Sequence, residues 1–161
     1  MTIRKTLHDD IEKVMQIYAF AQGFMRDSGN PQQWGPVHPP RALIESDIEK
    51  GLSYVCLHGE EIVAVFYFNI EIEPTYGKID GKWLNDDEYG IVHRIASNRT
   101  VKGAGEYCMK WCYEQCHNLR IDPHADNAPM RKLLEKLGYV YCGIIWIENG
   151  DERLAFQKVD K

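Results

Sequence analysis

The sequence lacks a hydrophobic run long enough to cross a bilayer. Its longest apolar stretch, residues 62–68, is far shorter than a membrane span. The start of the chain also lacks the basic segment followed by an apolar stretch that marks a secretory signal. The formal net charge is -5, so the basic footprint of a nucleic-acid-binding protein is missing. These absences predict a cytoplasmic protein with neither a membrane nor a nucleic-acid partner.

The cysteines do not form the paired motif of a structural zinc site. Cys108, Cys112 and Cys116 recur every four residues, next to His117, but a second, distant pair of ligands is missing. The total of five cysteines is odd, which is typical of reduced thiols when no secretory signal is present. We therefore predict no metal and interpret the three cysteines as apolar side chains that pack a helix on a sheet.

Length and composition are those of one globular domain. The chain has 161 residues, of which 44% are hydrophobic and 27% charged, and we expect one domain over residues 1–161. Apolar periodicity predicts the order β-α-α-β-β-β-α-β-α-β-β. The strands are predicted at 2–5, 53–57, 61–72, 89–97, 119–122, 139–147 and 153–158, and the helices at 7–25, 41–50, 106–117 and 127–137.

Two long loops and two helix caps complete this prediction. Residues 30–40 are rich in proline, and residues 73–88 are long enough for either a flap over a site or a disordered loop. Thr6 and Asp126 stand where the N-caps of the first and fourth helices are expected. The two loops together indicate an enclosed pocket for a small molecule.

Residues 89–105 combine a strand, a polar turn and the start of a helix. Gly103 and Gly105 lie at the helix start, where glycine lets the backbone approach a ligand and free N–H groups bind anionic oxygens. A P-loop is excluded, because Lys102 precedes Gly103 and no Ser or Thr follows at the required place. A dinucleotide fingerprint would need a third glycine at Cys108. The strand, the glycine turn and the helix N-terminus together predict a cradle for a pyrophosphate.

The motif TVKGAG at residues 100–105 resembles the coenzyme A loop of the GNAT (Gcn5-related N-acetyltransferase) superfamily, Gln/Arg-x-x-Gly-x-Gly/Ala, with Thr100 at the basic position. Downstream, LRIDPHADNAPMRKLLEKLGYVYCGII resembles the family's fifth strand, Asn-led fourth helix and Gly-Phe/Tyr pair. Two motifs in this order are more specific than one. The resemblance covers nearly the whole chain.

The resemblance implies an α/β (α+β) fold. It has a central mixed, mostly antiparallel sheet of about seven strands, four helices, and fourth and fifth strands that splay apart. It also implies acetyl-CoA as co-substrate, with the pantetheine arm between the splayed strands and the pyrophosphate at the glycine loop. The residues that the resemblance assigns to coenzyme A are Ile95, Ala96, Ser97, Val101, Lys102, Gly103, Ala104, Gly105 and Asn127.

Catalytic side chains are less evident. His93 is the best candidate for the base, because it lies on the predicted fourth strand and histidine titrates near neutral pH. Packing is the competing interpretation of this histidine. Leu134 occupies the position of the family's frequent general acid, a tyrosine. Trp34, in the proline-rich loop, is predicted to form a wall of the substrate pocket.

We therefore predict an acetyl-CoA-dependent N-acetyltransferase that acts on the amine of a small molecule by direct transfer in a ternary complex. Two alternatives stay open: a non-catalytic acyl-CoA-binding regulatory module, and an acetyltransferase that acts on a protein lysine or N-terminus. The terminal hairpin could pair between chains, which would give a homodimer.

Overall fold

The computed structural model describes residues 1–35 and 38–160. Within these ranges the chain forms four α-helices and eight strands. The helices are α1 (Ile11–Asp27), α2 (Arg41–Glu49), α3 (Ala104–Cys116) and α4 (Ala128–Lys136). The strands are β1 (Thr2–Lys5), β2 (Ser53–His58), β3 (Glu61–Ile70), β4 (Asp80–Gly81), β5 (Gly90–Ser97), β6 (Asn118–Ile121), β7 (Val140–Trp146) and β8 (Glu152–Val159).

All eight strands belong to one sheet, in the order β1-β2-β3-β5-β6-β8-β7-β4. Neighbouring strands are antiparallel except β5 and β6, which are parallel and pair only at Gly90 with Leu119 and Ile91 with Arg120. Beyond these two pairs the strands separate. The mixed, mostly antiparallel sheet and its splayed central pair are therefore confirmed, and the predicted fourth and fifth strands are β5 and β6.

Helices cover both faces of the sheet. Successive side chains of a strand point to opposite faces, so Val65 packs with Ile17 of α1 and Ile44 of α2, whereas its neighbour Phe66 packs with Met109 of α3. All five of these side chains are at most 1% exposed. The core thus has two layers, one on each side of β3 and β5.

The predicted N-cap of the first helix is wrong. The Thr6 hydroxyl is paired with that of Ser53 at 2.8 Å, because Thr6 directly follows β1 and lies beside the start of β2. The Leu7 N–H instead donates to a carboxylate oxygen of Asp10 at 2.7 Å. A short 3-10 turn at His8–Asp10 therefore precedes α1, which begins at Ile11 rather than at residue 7.

The fourth helix is also capped by a different residue than predicted. Asn127, not Asp126, is the N-cap of α4, and its Oδ1 accepts a hydrogen bond from the Met130 N–H at 3.2 Å. Asp126 lies one residue too early for this bond and is exposed. The correction matters for the site, because Asn127 is one of the predicted coenzyme residues.

The segment 73–88 is folded onto the sheet and is not the flap that its length suggested. Its two-residue strand β4 pairs with β7 and raises the strand count from about seven to eight. Gly81 and Gly143 make this pairing close, since a Cβ on Gly81 would lie 2.1 Å from the Cys142 carbonyl oxygen. Tyr76 in the same segment is 2% exposed. A sequence pattern of two residues is too short to predict such a strand.

Candidate active site

The separation of β5 from β6 opens a cavity of about 780 Å³. Its walls come from the loop after α1, from β5, from the start of α4 and from the turn between β7 and β8. Four of the predicted site residues line it together: Trp34, His93, Ile95 and Asn127. Among residues 1–35 and 38–160, no helix is long and apolar enough to cross a membrane, and no group of three metal-ligating side chains comes together.

A β-bulge on β5 shapes one wall of the cavity. Val65 pairs with Ala96 and Tyr67 pairs with His93, so two residues of β5, Arg94 and Ile95, lie opposite a single residue of β3. Arg94 adopts the left-handed conformation, with φ of 52°. A bulge interrupts the ladder and redirects the strand. Both bulge residues line the cavity, so their main chain is close to any group that enters it.

Buried contacts hold this bulge in place. The Arg94 guanidinium donates two hydrogen bonds to the Asp47 carboxylate, each of 3.0 Å. The Tyr18 hydroxyl donates to the Arg94 carbonyl oxygen at 2.9 Å. Because Asp47 is 4% exposed, its pair with Arg94 is shielded from solvent and fixes the left-handed residue from the side of α2.

His93 faces a carboxylate across the same wall. Its Nε2 lies 3.9 Å from an oxygen of Glu73, which is too long for a hydrogen bond but allows electrostatic attraction. Glu73 is itself fixed, because Thr75 donates to its other oxygen at 2.9 Å and its main-chain N–H donates to the Tyr89 hydroxyl at 2.9 Å. His93 and the Thr75 hydrogen bond lower the pKa of Glu73 below its usual value.

A second titratable pair in this region was missed by sequence reasoning. The Tyr76 hydroxyl donates to Asp122 at 2.5 Å, immediately after β6. Burial raises the pKa of the Asp122 carboxyl and that of the Tyr76 hydroxyl. Asp122 lines the cavity with Glu73 and His93. No local pattern indicates this pair, since its two members are separated by 46 residues.

The proline-rich loop forms the opposite wall. Trp34 makes edge-to-face contacts with the rings of Tyr18 and His38, at centroid distances of 5.8 and 6.0 Å. The neighbouring Gln33 side-chain oxygen accepts hydrogen bonds from the His124 N–H at 3.1 Å and from Asn127 Nδ2 at 3.0 Å. The loop is thus fastened to the segment before α4. The Asn127 amide serves both this contact and the cap of α4, and its contact with pantetheine stays a prediction.

The predicted pyrophosphate cradle lies at the start of α3. Gly103 precedes the helix with φ of 85°, and nothing lies within 4 Å of the Cβ that another residue would carry there. The first hydrogen bond at this end runs from the Tyr107 N–H to the Gly103 carbonyl oxygen at 2.9 Å. The N–H groups of residues 104–106 precede it and have no helical acceptor, as at any helix N-terminus.

The remaining predicted coenzyme residues differ in their exposure and in the contacts of their side chains. Ala96 and Ala104 are 5% and 1% exposed, and their side chains pack in the core. The Ser97 hydroxyl accepts a hydrogen bond from the Arg99 N–H at 3.0 Å. Val101 is partly buried against the α3 core, and Lys102 is exposed. Gly105 is at the first turn of α3, with only Leu133 near its Cβ position.

Leu134 does not reach the cavity. Its side chain is fully buried in the layer under α3 and α4. The position at which the family often has a tyrosine acid therefore points into the core here. Within the described residues, the titratable groups that line the cavity are His38, Glu73, His93, Arg94, Asp122, Glu148, Asp151 and Arg153.

No protein-family model matches this chain. Among solved structures, a GNAT-family acetyltransferase from Streptococcus agalactiae superposes with a TM-score of 0.91, at 29% identity, over 99% of this chain and 95% of that chain. The chain belongs to the GNAT superfamily. A second GNAT-like structure, ribosomal-protein-alanine N-acetyltransferase from Brucella melitensis, has a TM-score of 0.64 at 17% identity over 99% of this chain and 100% of that chain, and shows the fold alone.

One curated relative is similar over part of the GNAT fold. Cysteine--tRNA ligase from Deinococcus radiodurans is 30% identical over an alignment of 99 residues, and the alignment covers 56% of this chain and 19% of that protein. This chain thus spans about 19% of the length of the relative that it matches. The similarity is confined to a segment of the larger protein.

Proposed function

We propose that this protein is an acetyl-CoA-dependent N-acetyltransferase that acts on the amine of a small molecule by direct transfer in a ternary complex. The observation that carries the proposal is the opening between β5 and β6. The cavity at this opening is lined by His93 and Glu73, and α3, the helix that follows β5 in the chain, begins with free N–H groups. The GNAT acetyltransferases among the structural neighbours support an acyl-transfer activity.

The residues at the opening fit coenzyme A. An extended arm has room between strands that pair at only two positions. The open space at Gly103 and the N–H groups that follow it suit a pyrophosphate, which helix N-termini bind well. Bound acetyl-CoA would supply the activated acyl group as a thioester. The main chain at the Arg94 bulge would offer donors to negative charge on the acyl oxygen.

His93 would prepare the acceptor amine. An alkylamine has a pKa of about 10.4 and is almost entirely protonated near neutral pH, so its nitrogen must lose a proton before it can attack. His93 lines the cavity, and the Glu73 carboxylate 3.9 Å from its Nε2 would stabilise the imidazolium that forms when the ring takes this proton. We therefore assign His93 the role of general base and Glu73 that of its electrostatic partner.

Leu134 favours one alternative. Because this side chain is buried in the core, α4 offers no acid at the usual position, as would suit a non-catalytic acyl-CoA-binding regulatory module. An acceptor on a protein is less well supported, since the fastened loop around Gln33 and Trp34 closes one side of the cavity.

Acetylated product, identified by mass spectrometry, tests the proposal. We would offer acetyl-CoA with amino acids, polyamines, aminoglycosides and peptides, and measure coenzyme A binding by calorimetry in parallel. Cysteine belongs in the panel because of the curated relative, and mass spectrometry avoids its interference with thiol reagents. Product with a small amine is the expected result. Coenzyme binding without product from any acceptor would instead support the regulatory module.

A further inference from the structure

One buried arginine has no side chain beside it, among the described residues, that would compensate its positive charge. Three arginines are largely buried, and two of them have partners that suit a cation. Arg94 is paired with the Asp47 carboxylate. Arg120 lies between the rings of Trp83 and Tyr89, at 4.1 and 4.0 Å from their centroids. Arg94 is therefore paired with a carboxylate, whereas Arg120 has cation–π contacts with two rings, although its buried Nε has no hydrogen-bond partner within the described residues.

Arg153, the second residue of β8, is the exception. It is 5% exposed and lines the cavity. Its hydrogen bonds go to the main-chain oxygens of Gln33 at 2.8 Å and Glu152 at 3.2 Å. In residues 1–35 and 38–160 no carboxylate lies within 4.0 Å of it, although Asp122 and Asp151 are close enough to influence its pKa, which burial lowers. A guanidinium has five N–H donors, so most of its donors remain for a ligand.

We propose that Arg153 binds a carboxylate of the acceptor, so that the substrate class is an amino acid rather than a simple amine. This inference rests on the proposed acetyltransferase activity. A buried cation without a counterion is costly, and an incoming anion removes that cost. The planar guanidinium matches a carboxylate in shape and can bind it through two N–H groups.

The other charges of the cavity favour a molecule with both signs. Glu73, Asp122, Glu148 and Asp151 also line it. Their negative charge attracts an ammonium group and opposes a dianion such as a phosphate monoester. His93 lies on the β5 wall and Arg153 on the β8 wall of the same cavity. A substrate that places its amine at His93 and its carboxylate at Arg153 would have a suitable partner on each wall.

The competing explanation is that Arg153 only fastens the loop that carries Gln33 and Trp34. The two explanations differ in one measurable respect. A purely structural arginine would affect all acceptors alike, whereas a binding arginine discriminates acceptors by their carboxylate. The test therefore compares matched acceptors.

The first experiment uses the unaltered protein. Glycine, β-alanine, γ-aminobutyrate and larger α-amino acids are each compared with the amine that lacks the carboxylate and with the carboxamide. We expect kcat/KM to fall about 10- to 100-fold when the carboxylate is removed or neutralised, mainly through KM. Equal kcat/KM for each amino acid and its decarboxylated amine would overturn the assignment. The best chain length reports the distance between the two walls.

The second experiment uses Arg153→Gln, with Arg120→Gln as the matched control. Both replace a buried arginine, but Arg120 does not line the cavity. In Arg153→Gln we expect the kcat/KM values of an amino acid and of its decarboxylated amine to differ by no more than about threefold, because the carboxylate has lost its charged partner. In Arg120→Gln we expect it to persist. If Arg153→Gln keeps the full preference while kcat/KM falls for all acceptors, Arg153 is only structural.

Product formation and binding measurements together distinguish failure of the Arg153 assignment from failure of the proposed acetyltransferase activity. Product from amines without any preference for a carboxylate contradicts the Arg153 site alone, whereas no product from any acceptor contradicts the acetyltransferase. In the second case, calorimetry with the same amino acids in the presence of coenzyme A still tests Arg153. At least tenfold weaker binding to Arg153→Gln supports the site, and equal affinity overturns it.

Discussion

The role proposed for His93 depends on its position relative to Glu73. The imidazole is neither hidden in the core nor hydrogen-bonded to Glu73, since their nearest atoms are 3.9 Å apart. Glu73 is held by Thr75 and Tyr89 and cannot easily move away. In many general-base mechanisms, a fixed carboxylate stabilises the histidine that takes up the proton.

His93→Gln should lower kcat by about 10²- to 10⁴-fold, the usual contribution of a general base. Glutamine keeps a polar side chain of similar reach but cannot accept the amine proton near neutral pH. Because His93 is on the acceptor side, the affinity for coenzyme A should stay within about twofold in calorimetry. Turnover that remains within threefold of the unaltered enzyme would exclude His93 as the base.

Asp122 should make the protein less stable as the pH rises. Burial raises the pKa of its carboxyl above the usual value, so the folded state holds this proton at pH values where the unfolded state has lost it. The folded state then binds more protons, and the free energy of unfolding decreases as pH increases through this window. Asp122→Asn, which still offers an oxygen to Tyr76, removes this cost.

Denaturant unfolding of Asp122→Asn at several pH values checks that sign. We expect the variant to gain on the order of 1 kcal/mol relative to the unaltered protein at pH 7, a typical single-residue effect. The gain should disappear well below the ordinary carboxyl pKa of about 3.9, where both states of Asp122 are protonated. A gain that is independent of pH would show that burial does not disfavour the Asp122 charge.

The bulged strand β5 depends on an ion pair supplied by another element. Asp47 of α2 forms two hydrogen bonds with Arg94, and their side chains are 6% and 14% exposed. Asp47→Ala would leave a buried guanidinium without its partner, so the free energy of unfolding should fall by about 3 kcal/mol in denaturant titrations. Turnover should fall as well, because Arg94 and Ile95 border the cavity.

A surface pair provides the control for this prediction. Arg41 of the same helix is paired with Glu12 at 2.7 Å, but both side chains are solvent-exposed. Glu12→Ala should therefore give no measurable change in stability or turnover. Equal stability of the Asp47 and Glu12 variants would mean that the bulge does not need its ion pair.

Gly103 and Gly138 allow the cradle at α3 to be tested against backbone strain. Both have φ of 85° with nothing within 4 Å of a Cβ, but Gly138 follows α4 and Gly103 precedes α3. Valine at either position should destabilise the fold similarly. Only Gly103→Val should weaken coenzyme A binding in calorimetry, by about 100-fold, as its side chain would fill the space proposed for the pyrophosphate. Equal affinity in both variants would contradict the cradle.

Local patterns were sufficient to predict most elements and the superfamily. The strand, turn and helix around residues 89–105 are encoded by adjacent residues, and the structure confirms them as β5 and the start of α3. The proposed chemistry depends instead on distant partners, such as Tyr76 with Asp122 and Arg153 with Gln33, which are separated by 46 and 120 residues. Side-chain contacts of this range follow from the folded sheet, and no sequence period marks them.

The whole molecule has a built-in reporter of its stability. All five cysteines are free thiols, and Cys56, Cys108 and Cys112 are 0% exposed in the core under α3. A thiol reagent can reach these three only when the core opens. Labelling at these positions, measured by mass spectrometry, therefore follows the population of the unfolded state when closing is fast compared with the reaction.

Coenzyme A should slow this labelling if it binds the folded protein. A ligand at about 100 times its Kd adds about 2.7 kcal/mol to the free energy of unfolding, which corresponds to about 100-fold slower labelling of the core thiols. Gly103→Val should show no such protection at the same coenzyme concentration. Since this measurement requires no acceptor and no turnover, labelling that is unaffected by coenzyme A would contradict the binding site independently of the proposed reaction.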